Sequence, residues 1–397
     1  MDNALAYFIP HHGRPKISLG VPESFRLNVC PAACGRRTGI RALGNGTADR
    51  QAFLYITEAD VISGDYEGAI GDAVEELLEL ISPAPRAFLI YVNCIDDFLG
   101  TDEEALLDRL RRRFPALPFA ICHIDPISAQ DPVPPGARMQ DRLYALLSPR
   151  PREDSVNLIG NFVSPDPAGE LFQVLGQMGI SAVRELHALD RFEEFQRMAG
   201  ARLNLVLMEM GRFAAENMEK RLGIPWLDVP VSYSVAQVTR DYQSIADALG
   251  RPLPDLSAWR ARALEAVARA RTAVGDTPLI VDASAAMRPF AMAKSLREYG
   301  FQVAAVFLAH DKDMDRAERE WLQEHSPQTR VVYAGRFDAT AAALPKEGIA
   351  IGYDGAYTLR APRFVDIQRD ETLFGFHGIS VLMDLLAAAM KGETRWE

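Results

Sequence analysis

Along this chain, apolar runs of strand length alternate with longer stretches whose apolar residues recur at helical spacing. Arg86-Ala-Phe-Leu-Ile-Tyr-Val-Asn-Cys94 is short and almost unbroken in its apolarity, and it closes on a polar turn, as a buried parallel strand does. A helix is predicted from Thr101, where Thr101 and Glu104 stand in capping-box register. Acids fill its first turn and Arg111 to Arg113 its last, the charge order a helix dipole favours. Residues 117–122 predict the strand after it.

The Pro- and Arg-rich residues 148–154 read as a linker, after which the alternation resumes. Strands are predicted at 155–160, 179–183 and 203–207, with helices at 168–178 and up to Leu222. A long Ala- and Arg-rich helix over 256–274 leads to a third series, with strands at 277–282, 301–308, 329–333 and 348–352. This order predicts an α/β fold of three doubly wound Rossmann-like subdomains with parallel sheets, divided at 1–150, 151–255 and 256–397, the last ending in a helix. Functional groups are then expected at the C-terminal ends of strands.

Composition narrows the function. The 397 residues carry a net charge of −11, which disfavours nucleic acid and anionic membrane as partners. No stretch approaches the ~20 apolar residues of a membrane span, and the first residues lack a secretory pattern, so the cytoplasm is the expected location. Walker A, G-x-G-x-x-G, H-E-x-x-H and G-x-S-x-G signatures are all absent. His11-His12 reads as an exposed pair rather than a metal site.

The four cysteines, Cys30, Cys34, Cys94 and Cys122, all fall in the first third of the chain. In a reducing compartment they are thiols. Cys30 and Cys34 lie in Asn28-Val-Cys-Pro-Ala-Ala-Cys-Gly-Arg-Arg-Thr-Gly39, read as a loop entering a helix, and Cys94 ends a predicted strand. Thiolates so placed are suited to an iron–sulfur cluster, with structural thiols as the other reading. Cys122, inside an apolar strand, reads as a small core residue.

Several segments resemble nitrogenase component 1 proteins. Asp60-Val-Ile-Ser-Gly64 and the helix after it resemble the family's acidic "V-F-G-G" segment, and Cys34-Gly35 its "G-C" turn. Cys94-Ile-Asp-Asp-Phe-Leu-Gly-Thr-Asp102 resembles the "C-x-x-E-x-I-G-D-D" block. Leu203-Asn-Leu-Val, Met218-Glu-Lys-Arg-Leu-Gly-Ile-Pro-Trp226 and Phe374-Gly-Phe-His-Gly378 follow in the family's order, so the similarity spans residues 25–390.

The resemblance implies a nitrogenase component 1-like fold and a [4Fe-4S] or [8Fe-7S] P-cluster-like cluster shared at a subunit interface. Its ligands here would be Cys30, Cys34 and Cys94, with Gly35 beside them and residues 1–150 as the cluster-binding subdomain. Gly35 and Gly39 are expected to let backbone N–H groups approach sulfur, and Arg36 and Arg37 are placed to offset cluster charge. Asp96 and Asp97 are read as caps of the next helix, with a spare oxygen ligand as the other role. The cofactor cysteine of catalytic α-type subunits is missing from Leu207-Met-Glu-Met210, and no histidine occurs in residues 366–370. His377 reads as a hydrogen-bonded packing residue.

The implied protein is a β-type subunit of a two-component reductase. An ATP-dependent iron-protein reductase would feed it electrons, and a homologous α-type partner, in an α2β2 heterotetramer, would hold the substrate site. Reductive C–S cleavage of methylthio-alkanes is the leading chemistry. A tetrapyrrole-reducing enzyme subunit, a non-catalytic metallocluster assembly scaffold and a metal-free sensor are the other readings.

Overall fold

The computed structural model describes residues 20–63, 66–93, 96, 100–124, 133–308, 315–333, 344–345 and 347–392. The chain divides into two compact units, one built from 16–162 and 181–228, the other from 1–15, 163–180 and 229–397. His11, His12, Cys94 and Asp97 lie outside the described residues, as does the side chain of Arg37.

The first unit contains two four-stranded parallel sheets. One has the order β2-β1-β3-β4, made of β1 (Ser24–Cys30), β2 (Gln51–Tyr55), β3 (Ala87–Asn93) and β4 (Phe119–Ile124). The other has the order β6-β5-β7-β8, made of β5 (Ser155–Ile159), β6 (Ala182–Glu185), β7 (Leu203–Val206) and β8 (Trp226–Asp228). Strand β3 shows why its sequence reads as unbroken apolarity. Phe88, Ile90 and Val92 pack on one face with Leu27, Ile70 and Leu106, while Ala87, Leu89 and Tyr91 pack on the other with Leu143, Phe195 and Met198. Both faces are covered, as parallel sheets require.

The second unit holds a five-stranded parallel sheet with the order β11-β10-β9-β12-β13. Its strands are β9 (Leu279–Asp282), β10 (Val303–Leu308), β11 (Arg330–Tyr333), β12 (Ile349–Ile351) and β13 (Arg363–Val365). The long helix Ser257–Val274 packs along the helix Gly375–Ala389. Three parallel α/β sheets are therefore present, as the alternation predicts.

Three local readings need correction. The helix after β3 is Glu103–Arg113, capped by Asp102, whose carboxylate accepts from the Ala105 N–H at 3.0 Å, rather than by Thr101 with Glu104. Thr101 and Asp96 are both engaged by the Tyr66 hydroxyl, so neither is available as the cap. The strand expected at 179–183 forms at Ala182–Glu185, because Gly179 has a positive φ of 83° and closes the preceding turn.

Candidate metal centre

Cys30 is the last residue of β1, not part of a loop, and Tyr55 ends β2 directly opposite it. Strand β3, on the other side of β1, ends at Asn93, the residue before Cys94. Cys30 thus stands at the C-terminal edge of a parallel sheet, where α/β folds bind ligands.

Pro31 makes the passage from strand to helix abrupt. Its φ of −57° is set by the ring, and its carbonyl accepts from the N–H groups of Cys34 and Gly35 at 3.0 and 3.1 Å, opening the helix Ala32–Asn45. Cys34 is therefore a first-turn helical residue. The Gly35 amide is used inside the helix, so the expectation that it would point at sulfur is not met. Gly39 lies over the Phe53 ring, 3.7 Å from where its Cβ would stand, and not at the thiol.

The missing side chain of Gly35 serves close packing instead. A Cβ there would stand 2.9 Å from the Tyr55 ring, 3.1 Å from the Phe53 ring and 3.2 Å from Cys30 Sγ. Phe53 and Tyr55 stack at 5.9 Å, forming an aromatic wall beside the thiol. Gly35→Ala is expected to push Cys30 or that wall aside, costing about 1–3 kcal/mol as an overpacked site does. Urea unfolding followed by tryptophan fluorescence measures the loss, and an unchanged midpoint would remove the packing role.

The two thiols differ in environment. Cys30 is buried, and burial together with the neighbouring Cys34 pushes its pKa up to about 11. Cys34 is exposed, as is Arg36. Cys122 is fully buried in β4 among Leu89 and Tyr91, and burial pushes its pKa up to about 12. It lies level with Tyr91 and, through Tyr91, with Asn28, two strands from β1 and two residues short of Cys30. Strand geometry separates the two Cα atoms by roughly 12 Å.

In the first unit, Leu207 and Met208 are buried after β7, and Met210 packs its sulfur against Gly136. In the second unit, Asp370 is buried and accepts from the Tyr233 hydroxyl at 2.5 Å and the Met287 N–H at 3.2 Å; burial raises its pKa to about 6. His377 Nε2 is 3.0 Å from Asp166 Oδ2, and its ring meets Trp259 edge-on.

Three parallel α/β sheets, with a buried thiol at one strand end and an exposed thiol in the first turn of the helix after it, define a multi-sheet Rossmann-like protein. The chain belongs to the nitrogenase component 1 type oxidoreductase family, whose sequence profile matches residues 33–391. Among curated proteins it is 24% identical over 378 residues to the nitrogenase iron-molybdenum cofactor biosynthesis protein NifE of Klebsiella pneumoniae, covering 85% of this chain and 78% of that one. It is 22% identical to NifE of Rhizobium meliloti (strain 1021), covering 84% and 75% respectively. Among solved structures, nitrogenase Cp1 at pH 6.5 superposes with a TM-score of 0.73 at 15% identity, over 98% of this chain and 93% of that one.

Proposed function

We propose that this chain is the cluster-holding, β-type subunit of a nitrogenase-like two-component reductase, with Cys30, Cys34 and Cys94 as thiolate ligands. The observation that carries this reading is the placement of Cys30 and Cys34 on either side of Pro31, at the C-terminal edge of a parallel sheet, with Gly35 leaving room for the sulfur. The donor set fits an iron–sulfur group. Two thiols four residues apart sit on a rigid strand end and a first helical turn, and soft sulfur donors select such clusters over hard cations.

When bound, the cluster supplies one-electron storage at low potential. The protein's own contribution is to position the ligands and control their protonation. Cys30 holds its proton in the metal-free chain, so loading releases it. Phe53 and Tyr55 stack beside the buried thiol and would shield one side of a group bound there, and such shielding tunes its potential. Electrons would come from an ATP-dependent iron-protein reductase and pass to a homologous α-type partner, consistent with the missing Walker A loop and with Met208 where a cofactor thiol is absent. Methylthio-alkanes are the proposed substrate class for that partner.

A second reading, an assembly scaffold that builds a metallocluster and hands it on, draws on the NifE relatives, named as cofactor biosynthesis proteins. One experiment separates the two. The chain is co-purified without oxygen with its partner, then given the iron-protein reductase, ATP and reductant. Substrate turnover supports the reductase, whereas transfer of the cluster to an apo-protein without turnover supports the scaffold. Absence of iron from the anaerobic complex would overturn both. Cys122→Ser is expected to leave iron content within roughly a tenth of the parent value, since this thiol is a core packing group on the order of 12 Å from Cys30. Iron analysis checks it, and a large loss would place Cys122 among the ligands.

A further inference from the structure

The same sheet edge carries a second donor group that the thiol reading does not use. Asp96 lies just beyond β3, Glu103 is the first residue of the helix Glu103–Arg113, and His123 is in β4. One ligand atom from each lies within 4.8 Å of the other two. His123 Nδ1 is 3.0 Å from Glu103 Oε1. We infer that Asp96, Glu103 and His123 form a binding site for a first-row divalent cation of the zinc class, separate from the cysteines.

The chemistry of the donors selects the ion. Two carboxylates and an imidazole are a nitrogen–oxygen set, which suits Zn²⁺, Mn²⁺ or Fe²⁺ rather than a thiolate-bound cluster. A tetrahedral ion with ligands at ~2.0–2.2 Å needs donor separations of roughly 3.3–3.6 Å. The supporting groups are also in place. The Tyr66 hydroxyl donates to Asp96 Oδ1 and also meets Thr101. Arg142 holds the far oxygen, Glu103 Oε2, at 3.0 Å and leaves Oε1 facing the imidazole. Such outer partners fix the direction of a ligand and raise its affinity. Asp96 is 5% exposed and Glu103 and His123 are half-buried, so the group is recessed rather than a solvated acidic face. A cation there ties the residue two positions after Cys94 to both the following helix and β4.

The inference does not rest on cluster ligation, and its test keeps the two apart. The full-length protein, freed of metal by a chelator, is titrated with Zn²⁺ by calorimetry, and its Co²⁺ form is examined by absorption. In the Cys30→Ser/Cys34→Ser/Cys94→Ser variant, which removes the thiolates that would themselves take up Zn²⁺ or Co²⁺, one ion per chain is expected, with a Co²⁺ spectrum lacking the near-ultraviolet sulfur-to-metal band. Added to that variant, His123→Ala and the isosteric Asp96→Asn should each weaken binding at least about 100-fold, beyond the 10–100-fold that loss of an outer partner costs. His325→Ala, an exposed control, should not. Absence of binding in the triple-serine variant, or equal affinity once Asp96→Asn is added to it, would overturn the site.

Discussion

Anaerobically purified Cys34→Ser protein is expected to come off the column pale, with most of its iron gone, and Cys94→Ala to behave alike. Loss of an outer-sphere partner alone lowers metal affinity about 10–100-fold, and loss of a direct thiolate removes more. Cys34 gives the cleaner test. Its side chain is exposed, so serine there leaves the buried Cys30 and the stacked Phe53 and Tyr55 beside it undisturbed and the fold intact. Iron per chain by mass spectrometry and the visible absorption band are the measurements. Unchanged iron in either variant strikes that cysteine from the ligand set. Unchanged iron in both leaves Cys30 as the one remaining proposed ligand of this chain.

Glu170→Ala is expected to lose about 4 kcal/mol of stability. Glu170 is fully buried, and its carboxylate accepts from the Tyr242 hydroxyl at 3.0 Å, the Phe376 N–H at 2.6 Å and the His377 N–H at 3.1 Å. The last two are open donors at the start of the helix Gly375–Ala389, so the charge also meets the positive end of that helix. Alanine leaves two buried donors and one half-buried donor without an acceptor, each buried one costing roughly 1–3 kcal/mol, with partial recovery as water enters. Glu170→Gln keeps one carbonyl acceptor and should lose about half as much. Gly375 is part of the same device. Its φ is +72°, and a Cβ there would run into the Glu170 carboxylate. Urea unfolding followed by circular dichroism gives the comparison, and a loss under about 1 kcal/mol for the alanine variant would mean the helix start finds other acceptors.

The sequence reveals the sheets wherever both faces of a strand are apolar. Strands β3, β9 and β10 are such runs, and their burial explains it. Strand β1 hides because Arg26 and Asn28 interrupt it. Both are accommodated by partners distant in the chain: Arg26 lies 4.1 Å over the Tyr91 ring, and the Asn28 amide donates to Gln51 Oε1 and the Ala52 carbonyl. Nothing local announces those contacts, so Cys30 reads as a loop residue although it ends a strand. Strands β8 and β13, three residues each, are too short to show a period.

Of the candidate centre, residue type is legible and arrangement is not. Clustered cysteines point to sulfur ligation, but the aromatic wall of Phe53 and Tyr55 comes from a strand read only in the structure. The set Asp96, Glu103 and His123 has no motif spacing, because three separate elements contribute one donor each. The nearest sequence signal is a histidine placed near the end of an apolar strand, two residues before the polar stretch that follows it.

The interleaved chain path has a consequence for biosynthesis. Residues 163–180 belong to the unit completed by 229–397, while 181–228 return to the unit begun at 16. A chain leaving the ribosome can therefore finish the thiol-bearing unit once Asp228 has emerged. The segment carrying Glu170 must wait, its carboxylate solvated, until the helix beginning at Gly375 arrives more than 200 residues later. At ~5–20 residues per second that interval lasts on the order of ten to forty seconds. Cys30 and Cys34 thus stand on a finished sheet edge and first helical turn while the other half of the molecule is still being made.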